Sequence, residues 1–171
     1  MKKHSCGAIL YTIYNNKIYI ILGMEKGEWF PFKGIREKGE TNNEAAIREI
    51  YEETCTLVEI SGINLDCHYT TKRKHYHIGL IQVNSGIITE FYKKRDKIEA
   101  KAFLEKSSMR AFALNDINMN SFHSVTKIPI QYYYDKLKAL QRNIDNKSIA
   151  CTKYSLRNHI IKIKQTQHLS K

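Results

Sequence analysis

Glu49, Glu52 and Glu53 stand at positions i, i+3 and i+4. On an α-helix that spacing brings all three carboxylates to one face, about one turn apart. Like charges so placed repel by roughly 0.2–0.5 kcal/mol per pair, and a solvated acidic face is the ordinary reading of a Glu-rich helix. Three features set this one apart. It lies in a strongly basic chain, with 28 Lys+Arg against 17 Asp+Glu and a net charge of +11. Arg48 sits beside the cluster, placed to orient and partly neutralise it. A Gly-rich loop with further acids runs into the N-terminus of the helix. Hard oxygen ligands converging on one point suit Mg²⁺ or Mn²⁺, which take a few carboxylates, waters and substrate phosphate oxygens.

The elements that must position these groups can be read from periodicity. Residues 5–13 and 17–24 are β-branched and aromatic runs, with Asn15-Asn16 between them as a hairpin turn. Residues 28–39, with Pro31, aromatics and charge, read as a structured loop. Thr41-Asn-Asn-Glu44 is a capping box, and Ala46, Ile47, Ile50 and Tyr51 form an apolar stripe behind it, so a helix is predicted over 42–54. Strands are expected at 57–60, 66–71 and 75–83, then a turn at Gly86 and a short strand near 100–104. A second helix is predicted over 130–142, after Pro129. Ile149, Leu156, Ile160 and Ile163 offer one face of a third. The order predicts an α+β fold, a mixed β-sheet covered on two sides in an α/β/α sandwich.

Gly34, five residues, Glu40, seven residues, then Arg48-Glu49-Ile50-Tyr51-Glu52-Glu53 resembles the Nudix box. Six specified residues at fixed spacing arise by chance in about one chain of this length in 10⁵. The box spans Gly34–Thr56. It departs from the family pattern at Cys55, where a helix-ending Gly is usual, and at Thr56, where a large aliphatic residue is usual. A left-handed helix end costs a residue with a Cβ about 1 kcal/mol, so the helix is expected to end differently, running a residue longer. The resemblance implies a Nudix-like sandwich over residues 1–142, followed by a basic C-terminal extension over 143–171. It implies that Glu49, Glu52 and Glu53 bind Mg²⁺ or Mn²⁺ with the Gly34 carbonyl, that Glu40 holds the loop, and that Arg48 orients the glutamates. The implied reaction is hydrolysis of a phosphoric anhydride by water, in line with the departing phosphate. Glu53, or a distal residue for which Glu99 is the candidate, would take the water's proton. A surface acid in a charge run is the alternative for Glu99.

The approach to the box, Glu28-Trp29-Phe30-Pro31-Phe32-Lys33-Gly34, is similar to that of the mRNA-decapping and dinucleoside-polyphosphate branches, with Phe32 interposed. Lys33 is a candidate for a phosphate oxygen and Trp29 for stacking on a base, against a solvated lysine and a core tryptophan. From Lys72 onward twenty Lys/Arg face seven acids. Lys72 and Arg73 open an aromatic-interleaved basic stretch, and this excess suits tracking an RNA backbone. The expected activity is removal of the cap from mRNA, releasing m7GDP and 5′-monophosphate RNA, as in viral-type members of the family. The alternatives are hydrolysis of small nucleoside polyphosphates (a dinucleoside polyphosphate, an oxidised NTP) or inositol pyrophosphates, and a non-catalytic module that binds RNA or nucleotide.

The wider composition agrees. A 171-residue chain with 42% hydrophobic and 26% charged residues has ordinary globular usage, which excludes wholesale disorder and fibrous repeats. Cys6, Cys55, Cys67 and Cys151 match no zinc spacing and read as free thiols in a reducing compartment. No run approaches the ~18 apolar residues of a membrane span. A cytoplasmic location without a membrane partner is expected (host cytoplasm for a viral member), and nothing in the pattern specifies an oligomeric state.

Overall fold

The computed structural model of the chain describes residues 2–98 and 104–168, with side chains as far as residue 149. Its centre is a 12-residue strand, β1 (Lys3–Tyr14). An Asn15-Asn16 turn, both residues at positive φ, returns the chain as β2 (Lys17–Glu25), the tight hairpin such a pair favours. β3 (Glu28–Phe30) and β4 (Phe32–Ile35) follow, then α1 (Asn42–Glu53). β5 (Cys67–Thr70) and β6 (Lys74–Gln82) form a second hairpin. α2 (Ile87–Asp96), β7 (Ser108–Ala113), two short 3-10 turns at Leu114–Asp116 and Met119–Ser121, and α3 (Ser124–His168) complete the order.

The sheet runs β3-β2-β1-β6-β5, with β4 also on β1 and β7 also on β2. β1 serves three neighbours. Its first half pairs antiparallel with β4, its second half antiparallel with β2, and its other edge parallel with β6. The mixed sheet of the expected α+β sandwich is therefore present. Alternation along β1 separates two cores, as a pleated strand must. Cys6, Ala8 and Leu10 face a cluster with Ala45, Ala46 and Ile50 of α1 and Phe91 of α2. Ile9 faces the opposite cluster with Ile130, Tyr133 and Leu137 of α3. Full burial of a side chain such as Ile50 stabilises the docking of α1 by roughly 1.5–3 kcal/mol.

α1 begins where the capping box places it: Thr41 Oγ1 accepts from Glu44 N, and Glu44 Oε2 accepts from Thr41 N at 2.7 Å. Its end differs from expectation. The helix stops at Glu53, and Cys55 and Thr56 both adopt left-handed backbone, at φ 54° and 64°. Thr56 N reaches back to Tyr51 O at 2.7 Å and Cys55 N to Glu52 O. These bonds satisfy the last carbonyls of the helix and hold the strained residues without glycine.

Other elements also depart from the sequence pattern. The loop over 28–39 contains two strands. Residues 57–60 form no strand; Leu57, Val58 and Ile60 instead fill the core under α1 as irregular chain. α2 stands where only a turn was expected. The late strand lies at Ser108–Ala113, while residues 100–103 of the expected one fall outside the described residues and Leu104 is not in a strand. α3 starts six residues before the predicted helix and carries Pro129 inside it. Proline lacks the N–H that would bond the carbonyl four residues back; Tyr69 Oη donates to that carbonyl, Val125 O, at 2.7 Å instead. The backbone helix is continuous across residues 142–143 to His168, so no separate third helix begins at the tail.

Candidate active site

α1 packs its inner face on β1 and β4 and turns Glu49 and Glu53 inward, both buried, while Glu52 remains at the rim with 56% of its side chain exposed. One guanidinium ties the loop to this face. Arg48 donates to Glu40 through Nε at 2.7 Å and Nη2 at 3.0 Å, to the Ile35 carbonyl at 3.0 Å, to Glu49 at 2.8 Å and to Glu52 at 3.2 Å. These bonds, with one from Glu37 N, hold the Glu40 carboxyl down at about 2. Arg48 is correspondingly pushed above its ordinary value, mainly by Glu40. Burial raises Glu49 despite Arg48.

β4 supplies the opposing wall. A Cβ on Gly34 would lie inside the Glu49 carboxylate, so only glycine lets strand and helix approach this closely. One residue earlier, Lys33 N donates to Glu53 Oε2 at 2.6 Å. The Lys33 ammonium lies 5.0 Å from the centroid of the Phe30 ring, and burial, then Lys106, lowers its pKa. Burial drives Glu53 above the ordinary carboxylate range, with Lys106 the main opposing influence.

Above these groups opens a cleft of about 510 Å³, lined by Glu49, Gly34, Lys33, Glu25, Lys74 and Glu105 among others. Carboxylate oxygens of Glu25, Glu53 and Glu105 lie within 4.8 Å of one another. Three observations fit a divalent cation here. The donors are hard carboxylates; Gly34 leaves open, beside the Glu49 carboxylate, a space that a Cβ would fill; and buried Glu53 Oε1 makes no hydrogen bond and faces the Lys106 ammonium, at 3.2 Å.

A scan against protein families matches the NUDIX domain over residues 4–123. The chain belongs to the Nudix family. Among curated proteins none matches its sequence significantly. Among solved structures, NrtR of Shewanella oneidensis complexed with a 27mer DNA is similar at TM-score 0.55 and 13% identity, covering 81% of this chain and 62% of that one. MutT studied from Aliivibrio salmonicida and Vibrio cholerae gives 0.52 and 14%, covering 77% and 94%. A Caenorhabditis elegans Ap4A hydrolase gives 0.44 and 23%, covering 68% and 83%. The chain is a Nudix hydrolase by its domain and by the glutamate helix that domain carries.

The Nudix box thus brings Glu40, Arg48, Glu49, Glu52, Glu53 and Gly34 together. Lys33 lines the same cleft. Lys72 and Arg73 are exposed in the β5–β6 turn, just before the cleft residue Lys74. Trp29 is not brought to the cleft: it packs edge-on to Phe112, ring centroids 5.3 Å apart, in the core under α3. Glu99 lies outside the described residues. Glu25, Glu105 and Lys106 are the site groups the sequence reading missed. Glu105 follows from the same rule that suggested Glu99, an acid shortly before the late strand, once that strand is placed at 108–113. Its signal was the alternation of Met109 and Ala111 with Arg110. Glu25, ending an apolar strand, and Lys106 carry no local signal. Cys6, Cys55 and Cys67 are free thiols, and no helix among the described residues is long and apolar enough to cross a membrane.

Proposed function

We propose that this Nudix hydrolase removes the cap from RNA, releasing m7GDP and 5′-monophosphate RNA, in the cytoplasm. The observation that carries the reading is a second cleft of about 350 Å³, lined by Lys2, Lys3, His4, Arg36 and Lys38 and sharing Ile35, Arg36 and Glu37 with the first. A mononucleotide needs only the 510 Å³ cleft, which is already of ligand size. Further cations beyond it suit the phosphates of a longer chain.

Glu49, Glu52, Glu53 and the Gly34 carbonyl would hold Mg²⁺ or Mn²⁺, which when bound activates water and neutralises phosphate oxygens. The chain's own groups do the rest. Arg48 fixes Glu49 and Glu52 relative to the loop. Lys33 and Lys74 face the substrate's phosphates from the cleft wall. Glu53 has one oxygen committed to Lys33 N, so Glu105, exposed beside it, is the better placed acceptor for the proton of the attacking water.

The test is hydrolysis of cap-labelled long RNA, with Mg²⁺ and separately Mn²⁺, in competition with diadenosine tetraphosphate, nucleoside triphosphates and free cap analogue. Release of m7GDP from long RNA, with free cap analogue a poor substrate, is expected. Preference for diadenosine tetraphosphate would replace capped RNA by a small polyphosphate, the reading favoured by the size of the first cleft. RNA binding without turnover of any substrate would make the chain a binding module.

A further inference from the structure

Lys106 is out of character for its place. Its side chain is fully buried, and a buried ammonium is costly unless paired. The stem lies along Gly23: a Cβ there would come within 2.8 Å of Lys106 Cδ, so the strand has no side chain where the lysine passes. Nζ ends 3.0 Å from Glu25 Oε2 and 3.2 Å from Glu53 Oε1, 5.7 Å from the centroid of the Phe30 ring. Glu105, the adjacent residue, adds a third carboxylate to the same cluster.

The two oxygens of Glu53 are not equivalent. Oε2 accepts from Lys33 N at 2.6 Å. Oε1 accepts no hydrogen bond and faces the Lys106 ammonium. Any cation that takes up Glu53 through its uncommitted oxygen therefore arrives where a positive charge is already held.

We propose that Lys106 is a tethered cation that supplies positive charge beside Glu53 in place of the divalent ion, holding Glu53 and Glu25 together in the metal-free protein and competing with metal for Glu53 Oε1. The inference rests on Glu53 being a metal ligand. Lys106 is a positioning residue in this scheme: it acts through Glu53 and Glu25. Metal uptake shifts its ammonium off Glu53 and onto Glu25, which stays within its reach, so the affinity of the site is set by this exchange. Replacing the lysine by an unbranched apolar side chain that still fits over Gly23 removes the competitor and leaves the carboxylates unneutralised.

The test is Mn²⁺ binding by calorimetry, with thermal melting in the presence and absence of Mn²⁺, on the full chain, Lys106→Met and Glu53→Gln. A unit charge about 4 Å from a divalent ion, even at the dielectric of water, is worth at least ~10-fold in affinity. Lys106→Met is expected to bind Mn²⁺ at least that much more tightly, to melt lower than wild type without metal, and to gain more from Mn²⁺. Unchanged or weaker affinity in Lys106→Met, with affinity lost in Glu53→Gln, would overturn the role of Lys106 alone. Unchanged affinity in Glu53→Gln would overturn the metal-ligand reading beneath it, and the proposal with it. Should Lys106→Met not fold, ¹⁵N spectra of the lysine ammoniums in wild type decide. The buried Lys106 signal is expected to move on adding Mg²⁺, and a signal that stays put would overturn the exchange.

Discussion

Arg48 concentrates much of the site's electrostatics in one side chain, because its planar fork engages Glu40, Glu49, Glu52 and a backbone carbonyl together. Glu40 carries the pH signature of that arrangement. Its carboxyl stands at about 2 in the folded protein against 4.5 for an unperturbed glutamate. A depressed folded value means that the stabilisation is complete above the unfolded value and is lost as pH falls from about 4.5 toward 2. Glu40→Gln should therefore melt below wild type at neutral pH, and the two melting curves should converge in acid; a gap independent of pH would contradict this. Glu53→Gln should lower turnover at least ~100-fold while RNA affinity holds or rises, since negative charge beside the phosphates falls; steady-state rates and filter binding measure both. Of the groups legible in the sequence, Glu49, Glu52, Glu53 and Arg48 share one helix, where spacing alone fixes neighbours. Glu25 and Lys106 meet across eighty-one positions through the β2–β7 register, which no local pattern encodes.

Among the elements, α1 is the one whose start the sequence states outright, because a capping box and an apolar stripe agree. α2 was hidden for the opposite reason. Its N-cap is Gly86, which offers no capping side chain, and its polar face is a run of cations that reads as solvated loop. Proline likewise misplaced the start of α3, since the substitute donor for Val125 O is Tyr69, from a strand far away in the chain. The end of α1 is where local preference and fold conflict. Thr56 is exposed yet β-branched at φ 64°, a conformation that costs about 1 kcal/mol or more. Thr56→Gly should raise the melting temperature by about 2–4 °C, even though it removes the hydroxyl to which the Lys94 ammonium donates. A calorimetric scan tests this, and a fall in melting temperature would mean that the Lys94 bond outweighs the strain.

At the scale of the whole molecule, charge is segregated. From Glu40 to Glu59 six acids face a single base, Arg48, and the basic excess lies in the rest of the chain. Among the described side chains of α3, which end at residue 149, Val125, Ile130, Tyr133, Leu137 and Gln141 are buried against the sheet or its turns. Beyond residue 149 the chain holds five cations, Lys153, Arg157, Lys162, Lys164 and Lys171, and no acid. Deleting residues 150–171 should weaken RNA binding and flatten its dependence on salt, leaving hydrolysis of a small nucleoside polyphosphate unchanged. Fluorescence anisotropy across a salt series measures the slope, and an unaltered slope would detach the tail from RNA.

The position of β1 also has a consequence for how the chain comes together on the ribosome. Its antiparallel partners β2 and β4, and the glutamate helix behind them, are synthesised within the first third of the chain, so these pieces can associate early. The parallel edge must wait for β6, pairing Ser5 with Tyr76, and closure of so distant a contact is slow. Until then one side of the central strand presents unsatisfied peptide groups beside a half-built apolar layer, the kind of surface that nascent chains join by mistake. Yield from rapid expression should therefore depend on how quickly translation passes the β5–β6 hairpin.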